Sequence, residues 1–457
     1  MVIGVILLFG GAALRILRAE QQRIADARAF LALLKQERDA LYASFNDTNN
    51  GAHEYLRAFS QFREPADAAQ QPVLEKELSF LTEHGWGGVS ADTVDWMERN
   101  RPALALIRAG NAKPFSLLPR VTDTNPDLSV PVSKARSVAR MLTAYGRYAE
   151  SQGDIGPALD AYLDIIRLGS GLETDRTLIG AMIGVAARRM GLDPLRQLAP
   201  RVSRPEVLLL IFKDLDQLAA RAVPLQEAFK TDLLAFHGSL ELAYSGRYPA
   251  KPDWSPDRID GQRVDQRLAR INQSRRYGLA RWYLGKDRVF LPIFEAWQPL
   301  IHDAGLPYYE LSSRSRYRVP DRDAAWLFLL TSLDNPIGKL LARISLPNVQ
   351  RGMVLHALAR ADEHATRLVL LLHAYKLLHA KFPERLDALH ELADVDSLAD
   401  PFSGQPFRYR RTDTGYVLYS LGPDLDDDGG IQDYEQRARS GIKQLDDTDL
   451  VYSLSAS

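Results

Sequence analysis

The stretch that most constrains the fold is "VARMLTAYGRYAESQGDIGPALDAYLDIIRLG", within residues 133 to 200. Apolar residues recur every three to four positions on both sides of "SQGDIGP", so it reads as two antiparallel helices joined by a tight turn. The same period recurs over about 53–62, 73–83, 91–108, 175–195, 205–220 and 225–245, with "SADT" at 90 to 93 as an N-terminal signature. The longest periodic run is predicted at about 349–380 and ends at "KFPERL", where Pro383 cannot continue a helix. The expected fold is mainly α.

Within the first hairpin, Leu142, Gly146, Ala158 and Tyr162 fall on a tetratricopeptide-like spacing. Only one such unit is present, and Ala149 stands where that repeat carries a bulky tyrosine. One copy supports a helical hairpin rather than a solenoid.

The N-terminus, "MVIGVILLFGGAAL", is uncharged up to Leu14, and Arg15 and Arg18 follow. As a helix it spans about 20 Å, against about 30 Å of bilayer core. Residues 1–18 are expected to be a membrane anchor or uncleaved signal segment, since no other stretch is as purely apolar. The arginine bias argues for a cytoplasmic body. Residues 19–125 are assigned as an N-terminal helical region, 126–348 as a helical body, and 349–457 as the long helix with a C-terminal head.

There are no cysteines, which excludes disulfides, thiolate metal sites and cysteine nucleophiles. Net charge is −1, so no global basic field attracts nucleic acid. The basic, aromatic segment 267–288 carries Arg275, Arg276 and Arg288 beside Tyr277, Trp282 and Tyr283. It reads as a solvated helix face, or as a patch for lipid headgroups or an acidic partner.

After "DPFSGQP" the character changes. "FRYRR", the turn "TDTG" and "YVLYSL" form an antiparallel hairpin signature. Directly afterwards comes "GPDLDDDGGIQDYE". Calcium takes six to eight oxygen ligands, and an EF-hand-type loop supplies them at fixed positions. Here these are the carboxylates of Asp424, Asp426 and Asp428, a sharp turn at Gly429, the backbone carbonyl of Gly430, Gln432 through water, and Glu435. Ile431 would pack inward. No Lys or Arg lies between Arg411 and Arg437 to neutralise these acids. The preceding residues read as a strand, not as the helix of an EF-hand.

Residues 365 to 435 resemble the C-terminal part of type II secretion major pseudopilins. The resemblance rests on "HAKFPERLDAL", "DPFSGQPFRY" and "GYVLYSLGPD" followed by an acidic, glycine-rich loop. It implies a small α+β head with an antiparallel hairpin and a structural Ca2+ held after Leu421, with Asp424, Asp426 and Asp428 the foremost ligands. The apolar N-terminus lacks that family's leader and glutamate, so a fibre subunit is not expected.

His356, His364, His373 and His379 share one predicted helix, but none of their spacings suits a helical metal pair. No nucleophile elbow or phosphate-binding glycine loop is present. The expected protein is thus a membrane-anchored structural or interaction protein with a calcium-braced head and no catalysis of its own. It would have a protein partner in the cell envelope. Near-millimolar calcium outside the cytoplasm would fill a modest site, so the expected location is a bacterial inner membrane, single-pass, with the bulk of the chain periplasmic. One alternative is an envelope enzyme acting on an anionic substrate in a cleft of the body, where Arg275, Arg276, Glu295 and His302 would converge. Another is a calcium-dependent surface or carbohydrate binder using Tyr416, Tyr419 and Tyr434.

Overall fold

The computed structural model describes residues 2–46, 48–63, 71–84, 90–117, 129–245, 285–312, 335–430 and 449–452. Residues 246–262, most of the basic segment 267–288, and Ile431, Gln432, Tyr434 and Glu435 lie outside the described residues. The chain is mainly helical with a small three-stranded antiparallel sheet.

Helix α1 runs from Val2–Ala43 without a break, about 63 Å at 1.5 Å per residue. The apolar start therefore continues directly into charged sequence. Beyond it, Glu20 pairs with Arg288 at 2.7 Å and Arg23 with Glu295 at 3.2 Å. Among the described residues, no helix is long and apolar enough to cross a membrane. The expected single-pass inner-membrane placement is corrected on that ground.

Helices α2 (Ala52–Gln61), α3 (Gln71–His84) and α4 (Ala91–Asn111) follow. Ser90 caps α4, its hydroxyl accepting from the Thr93 amide at 3.4 Å. Helices α5 (Ser129–Ser151) and α6 (Ile155–Glu173) form the expected hairpin, turning at Gly153 with φ +81°. Gly146 lies against the Tyr162 ring, and a Cβ there would stand 2.3 Å from it.

Helix α7 (Leu178–Leu198) packs closely on α6. A Cβ at Gly169 would meet the Gly184 carbonyl at 2.6 Å, and one at Gly191 would meet the Tyr162 carbonyl at 2.6 Å. Glycine lets the two backbones approach this far. Helices α8 (Pro205–Ala220), α9 (Leu225–Ser245), α10 (Lys286–Asp303) and α11 (Tyr308–Ser312) come next.

Helix α12 spans Pro336–His379, starting 13 residues earlier than expected. Asn335 caps it by accepting from the Gly338 amide at 3.1 Å, and proline at the first position lacks only an amide that would go unbonded there. The helix ends at Ala380 with φ +61°, just before Pro383.

Among the described residues, two apolar clusters form the core. Ala27 and Leu31 of α1, Phe229 and Leu233 of α9, Phe290 and Trp297 of α10, and Met353 of α12 make one. Helices α2 to α8, the later part of α12 and the sheet make the other. Helix α12 thus contributes to both. The sheet order is β1 (Arg408–Arg411), β2 (Tyr416–Ser420), β3 (Leu450–Val451), with Arg411 opposite Tyr416 and Ser420 opposite Leu450. Alternation on β2 turns Tyr416, Leu418 and Ser420 inward. Tyr416 meets His373 of α12 and Phe382 edge-on.

Candidate functional site

The acidic loop is held at its root by Asp400. This carboxylate, 1% exposed, accepts from the Ser420 hydroxyl at 2.8 Å, the Ser403 hydroxyl at 3.0 Å and the amides of Phe402 and Leu421 at 3.0 and 3.3 Å. The aspartate of the "DPFSGQP" turn therefore fixes the end of β2, where the loop departs. Four charge-assisted bonds offset the cost of burying it.

Beyond Gly422 (φ +70°), the loop bends again at Leu425 (φ +65°) and at Gly429 and Gly430 (φ +75° and +68°). Asp424 accepts from the Asp426 amide at 3.3 Å. Burial first, and then the neighbouring Asp426 and Asp428, push its carboxyl up. Asp426 and Asp428 are exposed. Asp427 turns the other way. It accepts from the Tyr419 hydroxyl at 2.8 Å and pairs with Arg408 of β1 at 3.3 Å, so its carboxyl is pulled down, chiefly by Tyr419.

One further carboxylate joins the loop from outside the sequence pattern. Asp449, 1% exposed and next to β3, accepts from the Gly430 amide at 2.9 Å. Burial, and then Asp427 and Asp428, raise it. Its position comes from the pairing of β3 with β2, which no local spacing announces. Arg408 was likewise missed, being across the hairpin rather than along the loop.

The donor set suits calcium in kind. Asp424, Asp426, Asp428, Asp449 and the Gly430 carbonyl are all oxygen donors, and Asp424 and Asp449 are raised by burial first and by the neighbouring aspartates second. The arrangement is open. Asp424, Asp426 and Asp428 do not converge as a ligand cluster, and among the described residues the group whose ligand atoms lie within 4.8 Å is His390, Asp394 and Asp396. All three are exposed, and imidazole is not a calcium ligand.

Of the tyrosines considered for surface binding, Tyr416 is buried and Tyr419 is engaged by Asp427. The four histidines do not converge. His364 Nδ1 lies 2.7 Å from the Ala399 carbonyl, His373 sits among Phe382 and Tyr416, and His379 meets Glu391 at 2.5 Å. Burial lowers His356, His364 and His373 to about 4. Glu295 pairs with Arg23, and His302 is exposed.

The body holds a buried ionic array that the sequence pattern did not announce. Arg188 of α7 reaches Glu173 of α6 at 2.9 Å and Glu363 of α12 at 2.6 Å. Arg367 pairs with Glu363 at 3.4 Å and with Asp216 of α8 at 2.9 Å. Burial raises Glu173 to about 7. Burial also pushes Glu363 up, but Arg188 and Arg367 more than offset it and hold Glu363 below the ordinary range. Glu173 and Arg188 border a cavity of about 50 Å³ that Lys113, Arg167 and Arg221 also line.

No protein-family description, curated protein or solved structure matches this chain.

Proposed function

We propose that this chain is a structural or interaction protein whose C-terminal head is braced by calcium, with no catalysis of its own. The observation that carries this reading is Asp449, a buried carboxylate bonded to the loop backbone at Gly430, beside Asp427 and Asp428. It gives the loop a carboxylate from a strand distant in sequence. Asp424, Asp426, Asp428, Asp449 and the Gly430 carbonyl would hold the ion, with Gln432 and Glu435 completing the set. Calcium supplies positive charge there and no chemistry.

The chain's own residues define what such bracing does. Asp400 fixes one end of the loop to the Asp-Pro turn, and Asp449 fixes the other to β3. Drawing the carboxylates together would tie the C-terminal strand to the sheet and give the head one shape for a protein partner. The pseudopilin-like pattern of residues 365 to 435 supports this reading, because calcium in that family is structural. The α5–α6 hairpin, with Gly146 against Tyr162, supports a tetratricopeptide-like unit in the body.

Limited proteolysis tests the proposal. Calcium should suppress cleavage within residues 421 to 452, and magnesium should not, since it demands a smaller, near-octahedral site. Identical cleavage in calcium and in chelator would refute it.

A further inference from the structure

We propose that the cavity bordered by α2, α6, α7 and α8 is a binding site for a small oxyanion of the phosphate or short-carboxylate class.

Size comes first. The cavity measures about 50 Å³. By the same measure one water needs about 10–15 Å³, so the space takes roughly four non-hydrogen atoms, the scale of a phosphate or a carboxylate group.

Charge comes second. Four cationic side chains line the cavity, Lys113, Arg167, Arg188 and Arg221, against one carboxylate, Glu173. Arg188 is balanced in part by the lining Glu173 at 2.9 Å, and the other acids that balance three of these cations lie outside the lining. Lys113 meets Glu54 at 2.7 Å, Arg167 meets Asp214, and Arg188 meets Glu363 at 2.6 Å, and none of those carboxylates lines the space. These pairs hold the donors in place before any ligand arrives, which lowers the ordering cost of binding. Burial pushes the Glu173 carboxyl up and its charge is engaged by Arg188 at 2.9 Å, which weakens its repulsion of an anion.

Arg221 is the fourth cation. It follows the last turn of α8, is exposed, and forms no ion pair with a described residue. Guanidinium binds phosphate and carboxylate through two parallel bonds. The exposed Arg221 and the buried Arg188 both line the cavity and can contact the same anion.

Titration of the full chain tests this, with chelator present so that the acidic loop plays no part. Melting temperature is followed against inorganic phosphate, sulfate, acetate and succinate, with sodium chloride at matched ionic strength. At least one oxyanion should raise it saturably in the millimolar range, and the order among them distinguishes a phosphate from a carboxylate ligand. Arg221→Glu should melt normally without ligand and weaken binding about tenfold or more. Arg221→Lys should retain part of it. An equal shift in Arg221→Glu would place the anion elsewhere and overturn the assignment. So would the absence of any saturable shift up to tens of millimolar.

Discussion

Asp449 accepts a hydrogen bond from the Gly430 amide at 2.9 Å, joining the start of β3 to the acidic loop across 19 residues. The carboxylate is raised by burial and by Asp427 and Asp428. Two substitutions separate its roles. Asp449→Ala loses the bond and leaves the amide unsatisfied, at a cost of about 1–3 kcal/mol. Asp449→Asn can keep the bond while removing a repelling charge, so in chelator it should be at least as stable as the parent chain. Calcium affinity should fall about tenfold in both. Denaturant unfolding with calcium and with chelator separates these outcomes. If Asp449→Asn bound calcium as tightly as the parent, Asp449 would be no ligand.

The Arg188–Glu363 pair anchors α12 to α7. Removing one partner of a buried pair leaves an uncompensated charge, so Arg188→Met should cost about 3–5 kcal/mol. Combining it with Glu363→Gln should cost less than the sum, because the second change removes the stranded carboxylate. A double-mutant cycle by urea denaturation measures the difference, expected at about 0.5–3 kcal/mol. Additive losses would mean the two groups are not coupled.

Acid should destabilise the fold below about pH 6.5. His356, His364 and His373 are lowered to about 4 by burial, so their contribution is present above the ordinary histidine value and is lost as pH falls through 4. Glu173 and Asp232 act in the opposite sense. They are raised to about 7 and about 6, so their contribution is present below the ordinary carboxylate range and is lost as pH rises through those values. Three histidines outweigh two acids. Melting temperature should drop between pH 6.5 and 4, and His373→Phe should flatten part of that drop. An unchanged slope in this variant would remove His373 from the explanation.

Two glycines in the α6–α7 region should respond oppositely to alanine. A Cβ at Gly191 would lie 2.6 Å from the Tyr162 carbonyl, so the helices must separate, at about 1–3 kcal/mol. A Cβ at Gly156 meets nothing within 4 Å. There alanine gains helix propensity, a few tenths to about 1 kcal/mol. Thermal unfolding of the two variants suffices, and equal effects would contradict the close approach.

What the sequence revealed was local. Ser90 before α4, the turn at Gly153 and the strand alternation at Tyr416, Leu418 and Ser420 each depend on neighbours within a few positions, and each is where it was expected. The Asn335-Pro336 pair also carries a helix-start signal, but the apolar period becomes strong only further on, so the helix was expected from about 349. What stayed hidden was non-local. Glu363 lies 175 residues from Arg188, and Arg408 reaches Asp427 across the hairpin. The N-terminal apolar run was legible, but not that it continues as one helix into the charged residues that pair with α10. At the loop, the order of donors was legible and their placement was not. Asp427 turns toward Tyr419 and Arg408, and Asp449 enters from β3.

The most direct measurement is a calorimetric titration of the chelator-stripped full chain with calcium, alongside Asp424→Ala/Asp428→Ala. The expected result is one saturable site, lost in the double variant, with a melting temperature that rises with calcium as linkage requires. No heat and no melting shift up to several millimolar calcium would contradict the calcium-braced head.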